Sequence, residues 1–304
     1  MSVWAWLFNC DQALYTIILG EQGMHDKAAL FYKQNGYYIA PNLIGEQLQD
    51  IAGILLEIDT IVVQQLRRLD SSLALELSSE KPIVHRHLAQ LLLLDKEAYI
   101  ASLTLCTNLF SVMSLLMTKK IVNLTQSFGI QLPSLQSHPV LHVMASDLKI
   151  PGGYHGIGTH QDWASLQGSL DTIIVWIPFM DVNAVNFPVE FIPGSHLGGL
   201  YPGKISEHLY EIDPTFYNET DFIPSNMSFG DVLFMSSFLL HRTRLINSTD
   251  LRIACTIRYE NASENTYIDR VYPHAQKRSV NRELIYPGFP KAEQVRAVFK
   301  CDAD

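Results

Sequence analysis

The chain has 304 residues, with 22 Lys and Arg against 31 Asp and Glu, a formal net charge of −9. Hydrophobic residues make up 47% and charged residues 17%, a balance that excludes a disordered chain and suits a packed globular core. The acidic surplus and the lack of a Lys/Arg cluster argue against nucleic acid as a partner and, more weakly, against polyanionic substrates.

In chain order, residues 1–20 are apolar but carry no basic leader and are interrupted by Asn9 and Asp11. They read as a helix packed on the body, not as a signal peptide. Asn35-Gly36 signals a turn and Tyr37–Pro41 a short strand. Leu43–Leu69 places Leu48, Ile51, Ile54, Leu55, Ile58, Ile61, Val62 and Leu66 at helical spacing. His87–Leu94 and Tyr99–Val122 read as further helices. From about residue 138 short strands take over: Val140–Met144, Thr172–Ile177, Val189–Ile192, Asp231–Met235, Leu239–Arg244 and Arg252–Tyr259.

This texture predicts a mainly β fold with helical cover, its core a jelly roll. No linker divides the chain. The expectation is one domain over 1–304, with helical cover over 1–135, the core over 136–260 and a C-terminal extension over 261–304. Cys10, Cys106, Cys255 and Cys301 form no CxxC pair, which argues against a thiolate metal site and a disulfide framework. No stretch reaches the roughly 20 apolar residues that span a bilayer. A soluble, cytoplasmic monomer or homodimer, with no membrane partner, is expected.

The chemistry centres on His160-Gln161-Asp162. An imidazole and a carboxylate two residues apart, in a strand or the loop just after it, point the same way and reach one metal ion. His241, 79 residues further on and inside an apolar run, is the candidate third ligand. Two His and one carboxylate, with open positions opposite, is the donor set of non-haem Fe(II) oxygenases. Arg252 opens another apolar run. A guanidinium there calls for an anion, and a carboxylate ligand chelating the metal at its other end would supply it. The competing reading is a non-oxidative jelly-roll protein, a hydrolase, isomerase or binding protein, using the same His/Asp/His site.

Six stretches carry a family resemblance: FYKQNGYYIAPNLI (31–44), GTHQDW (158–163), IIVWIPFMDV (173–182), FIPGSHLGG (191–199), FGDVLFMSSFLLHRT (229–243) and the region of Arg252. The sequence resembles the phytanoyl-CoA dioxygenase family of Fe(II)/2-oxoglutarate-dependent oxygenases. The resemblance implies a double-stranded β-helix and Fe(II) held by His160, Asp162 and His241. It further implies 2-oxoglutarate chelating the iron with its distal carboxylate on Arg252, and Thr243 and Trp176 lining its pocket. The implied reaction takes up O2, releases succinate and CO2, and oxidises a C–H bond of a small-molecule, biosynthetic substrate, hydroxylation being the leading outcome. Asp162 fills the position that halogenating relatives leave vacant.

Where the family has Asn-Gly before the PGSH strand, this chain has Asn186-Phe187, so a differently shaped turn is expected. Gln161 should point away from the metal, and His196 should order its loop. Ser169 stands within reach of the cavity, while His155 lies in a glycine-flanked loop. Glu190 and Asp181 read as surface or loop-capping groups. The long segment 198–224 between core strands, and the stretch after Asn261, are candidates for substrate contact.

Overall fold

The computed structural model describes residues 23, 25–70, 82–136, 138–150, 156–205, 210–273 and 291–298. The helix expected over residues 1–20 and the loop residue His155 lie outside them, as do Cys10 and Cys301.

Helix α1 (residues 25–35) ends at Asn35-Gly36, where Gly36 takes φ 75°, the left-handed turn that this dipeptide favours. Strand β1 (Tyr37–Ala40) follows. Helix α2 (Leu48–Leu69) buries Ile51, Ile54, Ile58, Val62 and Leu66, one stripe at three- and four-residue intervals. Burying each of these side chains fully contributes about 1.5–3 kcal/mol.

Helices α3 (Ile83–Leu94), α4 (Lys96–Cys106), α5 (Phe110–Leu116) and α6 (Lys119–Ser127) complete the cover. The stretch Tyr99–Val122, expected as one helix, is therefore broken into three. At the first break the Thr107 hydroxyl and the Asn108 amide both donate to the Thr104 carbonyl, bonds that compete with the helical ladder.

Ten further strands follow: β2 (Pro133–Leu135), β3 (Val140–Met144), β4 (Ile173–Pro178), β5 (Val189–Phe191), β6 (Gly203–Ile205), β7 (Tyr210–Ile212), β8 (Ile223–Pro224), β9 (Val232–Ser236), β10 (His241–Thr243) and β11 (Arg252–Asn261). Each strand expected after residue 138 is present to within two residues at its ends. A four-residue helix α7 (Trp163–Leu166) starts directly after Asp162, and α8 (Asn265–Asp269) and α9 (Ala292–Val298) end the described chain.

The larger sheet runs β1-β9-β4-β11, with β2 and β3 sharing the outer edge of β11. The facing strands are β10-β5-β8 and the hairpin β6-β7. The expected jelly roll is thus present, with the helices on one outer face. Alternation sorts the larger sheet's side chains. Ile173, Val175, Ile177, Val232, Phe234, Ile253, Cys255, Ile257 and Tyr259 pack with the helices in one core. Ile174, Trp176, Leu233, Met235 and Ala254 face the second sheet. On β11 the residues in step with Ala254 are Arg252, Thr256, Arg258 and Glu260, so its polar groups share the inter-sheet side. Cys106 and Cys255 are buried free thiols. Among the described residues no single helix is long and apolar enough to cross a membrane.

Candidate metal centre

His160 sits between β7 and β10. Its backbone N–H donates to the His241 carbonyl at 3.0 Å and its carbonyl accepts the His241 N–H at 3.2 Å, while Ile212 N–H reaches the Thr159 carbonyl at 2.9 Å. Two residues that exchange both bonds across an antiparallel pair lie opposite each other with side chains on one face. That register puts the two imidazoles together, with centroids 4.1 Å apart. Asp162 is not on a strand: it takes helical dihedrals at the start of α7, and this bend swings its carboxylate back to His160. The metal-binding atoms of His160, Asp162 and His241 lie within 4.8 Å of one another, and all three residues are buried.

Each imidazole is oriented by a carbonyl. His160 Nδ1 lies 2.8 Å from Gly158 O and His241 Nδ1 2.9 Å from Leu239 O. A carbonyl only accepts, so Nδ1 carries the proton in both and Nε2 presents its lone pair. Burial, and then the neighbouring His160, push the His241 imidazole down to about 4, which keeps it neutral at pH 7. Burial alone would raise the Asp162 carboxyl. The Arg258 guanidinium, with help from His160 and His241, outweighs it and holds that carboxyl well below the usual range. A neutral His241 and an ionised Asp162 need lose no proton to take a divalent metal, and the His/Asp/His donor set fits iron.

Arg252, Trp176 and Thr243 line the same cavity as the triad. Arg252 is 1% exposed, donates Nη1 to the Phe187 carbonyl at 2.5 Å and lies 5.5 Å from the centre of the Trp176 ring. Phe187 holds φ 58°. The turn thus keeps the left-handed conformation expected to be lost with the glycine, since Asn186 braces it through the Asn183 N–H and the Asp181 carbonyl. A bulky residue in that region is strained, and its carbonyl is the one that meets Arg252.

Sequence reasoning missed Arg258 and His142, which also line the cavity. His142 Nε2 is 3.1 Å from the Thr256 hydroxyl. Gln161 points away from the metal as expected, its amide bonding the Gly199 and Phe238 carbonyls and the Tyr201 N–H. His196 orders its loop on the Lys33 carbonyl. Ser169 does not line the cavity. It is fully buried and bonds Glu260, Thr172 and Asn261.

Glu260 accepts the Ser169 N–H behind α7, while Arg270 donates to the Gln167 and Gly168 carbonyls. Burial pushes the Glu260 carboxyl up to about 7 against the pull of Ser169, Thr172 and Arg270. Asp181 caps a loop through the Phe229 N–H. Glu190 corrects expectation. It is 6% exposed and pairs with Arg242 at 2.9 Å and Arg244 at 3.5 Å, because β5 turns it into a cleft and not to the surface.

That cleft, about 700 Å³, is lined by Glu190, Lys204, Glu211, Tyr217, Glu219 and Arg242 among others, and it shares Ile157, Arg242 and Thr243 with the inner cavity. The segment 198–224 supplies much of its wall. Arg242 is held there by Glu190, by Glu219 and over the Phe222 ring. The Glu211 carboxylate makes no ion pair or hydrogen bond among the described residues. No described residue after Asn261 lines the cleft. That stretch instead packs Val295 into a core with Trp163 and Phe238.

Residues 32–254 match the phytanoyl-CoA dioxygenase (PhyH) family. The chain belongs to that family. No curated protein matches it in sequence. Among solved structures, the epimerase SnoN in complex with Fe3+, α-ketoglutarate and nogalamycin RO superposes with a TM-score of 0.53 at 16% identity, over 89% of this chain and 93% of that one. The non-haem monooxygenase ThoJ superposes with a TM-score of 0.53 at 15% identity, over 77% of each chain. At such identity the likeness is one of fold. With the family and the donor set, it makes this PhyH protein a non-haem iron, 2-oxoglutarate-dependent enzyme.

Proposed function

We propose that the protein is a dioxygenase that oxidises a C–H bond of a small, polar biosynthetic molecule, hydroxylation being the leading outcome. His160, Asp162 and His241 hold Fe(II), Arg252 takes the distal carboxylate of 2-oxoglutarate, and Thr243 and Trp176 flank that co-substrate. The observation that carries the reading is the buried His/Asp/His donor set with the buried Arg252 guanidinium on one cavity. Bound iron and 2-oxoglutarate together supply the oxidising power: one O2 atom enters succinate as CO2 leaves, and the other enters the substrate.

The chain's own residues bind, orient and exclude water. The Nδ1 bonds of the two histidines fix both rings. Burial of Arg252 beside Trp176 strengthens its attraction for a carboxylate. The inner cavity holds about 40 Å³ as it stands, room for one or two waters. Seating a five-carbon diacid therefore requires its lining side chains to swing aside, a common response to a ligand. The cleft outside is polar and of mixed charge, which suits a polyfunctional polar substrate better than an acyl chain. SnoN is an epimerase and ThoJ a monooxygenase, so this fold hosts more than one outcome and the substrate decides between them.

Anaerobic addition of Fe(II) and then 2-oxoglutarate tests the reading. A visible charge-transfer band, followed by succinate on admitting air, is expected. Metal binding with no band would overturn it in favour of a non-oxidative metal protein.

A further inference from the structure

We infer that Arg258 is a positioning residue that restricts Asp162 to one coordinating oxygen. The inference rests on the reading that the metal sits at His160, Asp162 and His241. Asp162 divides its two oxygens between two neighbours. Oδ1 lies 3.3 Å from His160 Nε2, on the side where the metal donors converge. Oδ2 accepts two hydrogen bonds from a single guanidinium, from Arg258 Nε at 3.2 Å and Nη2 at 3.1 Å. Both side chains are nearly closed to solvent, 5% for Arg258 and 6% for Asp162.

A buried guanidinium beside a site for a dication is electrostatically costly, so a simple packing role does not explain it. Its geometry has a specific effect. A carboxylate readily chelates a metal through both oxygens. With Oδ2 saturated by two charge-assisted N–H donors, Oδ1 alone remains to coordinate. The distinction is decisive for an octahedral ion. Three protein donor atoms leave three positions, two for a chelating 2-oxo acid and one for O2, whereas a two-toothed Asp162 leaves two.

Arg258 is itself held in place. It lies on the inter-sheet side of β11, two residues from Thr256, whose hydroxyl lies 3.4 Å from Arg258 Nη1 and 3.1 Å from His142 Nε2. β11 pairs on one edge with β3 and β2 and on the other with β4, so this strand cannot shift to follow a migrating carboxylate.

The test counts the exchangeable waters on bound Mn(II), by line broadening in 17O-enriched water, without 2-oxoglutarate. The expected result is three waters in the wild type, two in Arg258→Met, and three again in Arg258→Lys, which restores a charged donor. If Arg258→Met does not fold, Arg258→Gln, which withdraws the Nη2 donor, takes its place with the same loss of one water. An unchanged count in these variants, or a wild type with two waters, overturns the inference. So does loss of Mn(II) binding in a folded Arg258→Met, since the residue would then serve affinity and not denticity. A wild type with three waters and no response to 2-oxoglutarate would sink the functional reading and leave this one standing.

Discussion

Glu260→Gln isolates one ionisation. The carboxyl is fully buried and pushed from the ordinary glutamate value of 4.5 up to about 7, burial being the largest cause. The folded protein therefore holds this proton more tightly than the unfolded chain. Stability from this group is greatest below about 4.5 and falls as pH climbs to about 7, after which it is flat. From those two values, the cost of ionising Glu260 is roughly 2–3 kcal/mol larger at pH 8 than at pH 5. Glutamine never ionises and lacks this slope. Any fixed cost of seating its amide beside Gly168 is the same at both pH values and cancels. The stability of Glu260→Gln relative to wild type should thus improve by roughly 2–3 kcal/mol from pH 5 to pH 8, or about 3–5 °C in Tm for a chain of this length. Urea unfolding of both metal-free proteins at the two pH values measures it. A gap that does not change with pH would show that Glu260 is ionised throughout and that Arg270 and the Ser169 N–H outweigh burial.

His160→Ala, Asp162→Ala or His241→Ala should each weaken Fe(II) binding at least ~100-fold, the loss of one of three donors, as read by calorimetric titration. Full turnover in any of them would refute the site. Arg252→Ala should raise the 2-oxoglutarate requirement ~100-fold, as for a buried charge-assisted pair worth about 3 kcal/mol, with Fe(II) affinity little changed. Loss of both together would make Arg252 structural. Glu211→Gln should raise KM for an amine- or hydroxyl-bearing substrate ~5- to 10-fold and spare uncoupled 2-oxoglutarate turnover, because a cleft-wall carboxylate contributes about 1–1.5 kcal/mol. An unchanged KM across candidate substrates would remove it from recognition. Gly168→Ala places a methyl group against the Glu260 carboxylate and should lower stability by ~1–3 kcal/mol through overpacking, visible in the same urea assay.

The meeting of the triad and Arg252 at one cavity was legible because residue type and order alone point to it. The strands were legible because β-branched and aromatic runs are bounded here by turn residues. Arg258 was hidden for two reasons. β11 alternates polar and apolar residues, a pattern that reads as a solvent-facing edge, and only the fold shows that the strand is buried along its whole length with its polar side turned to the cavity. Its partner Asp162 is also 96 residues away in sequence, next to a segment bridged to β10 of the facing sheet, so only the packing of the two sheets brings them together. His142 and Glu260 were missed likewise, as single polar residues in strands whose neighbours the sequence does not name. The four residues of α7 are too few for a periodic signal, so the helical turn that opens at Asp162 was not read. Glu190 was misread because its partner Arg242 is fixed by strand register, which a linear reading does not supply. At Phe187 local preference was overruled, since Asn186 and the Arg252 guanidinium together impose a backbone that phenylalanine alone would avoid.

The backbone ladder at His160 also sets how load passes through the molecule. Thr159 is hydrogen-bonded to β7 on one side and His160 to β10 on the other, so the metal-binding segment is the rung between the cleft wall and the second histidine. Glu211 on the cleft wall is the chain neighbour of Ile212, so a displacement of β7 reaches that rung first. β7 cannot slide without breaking the bond from Ile212 to Thr159, at about 1 kcal/mol, or dragging His160 with it. The cleft wall and the first histidine are therefore joined through one backbone bond, and that bond's strength caps how much of any strain in β7 can reach His160.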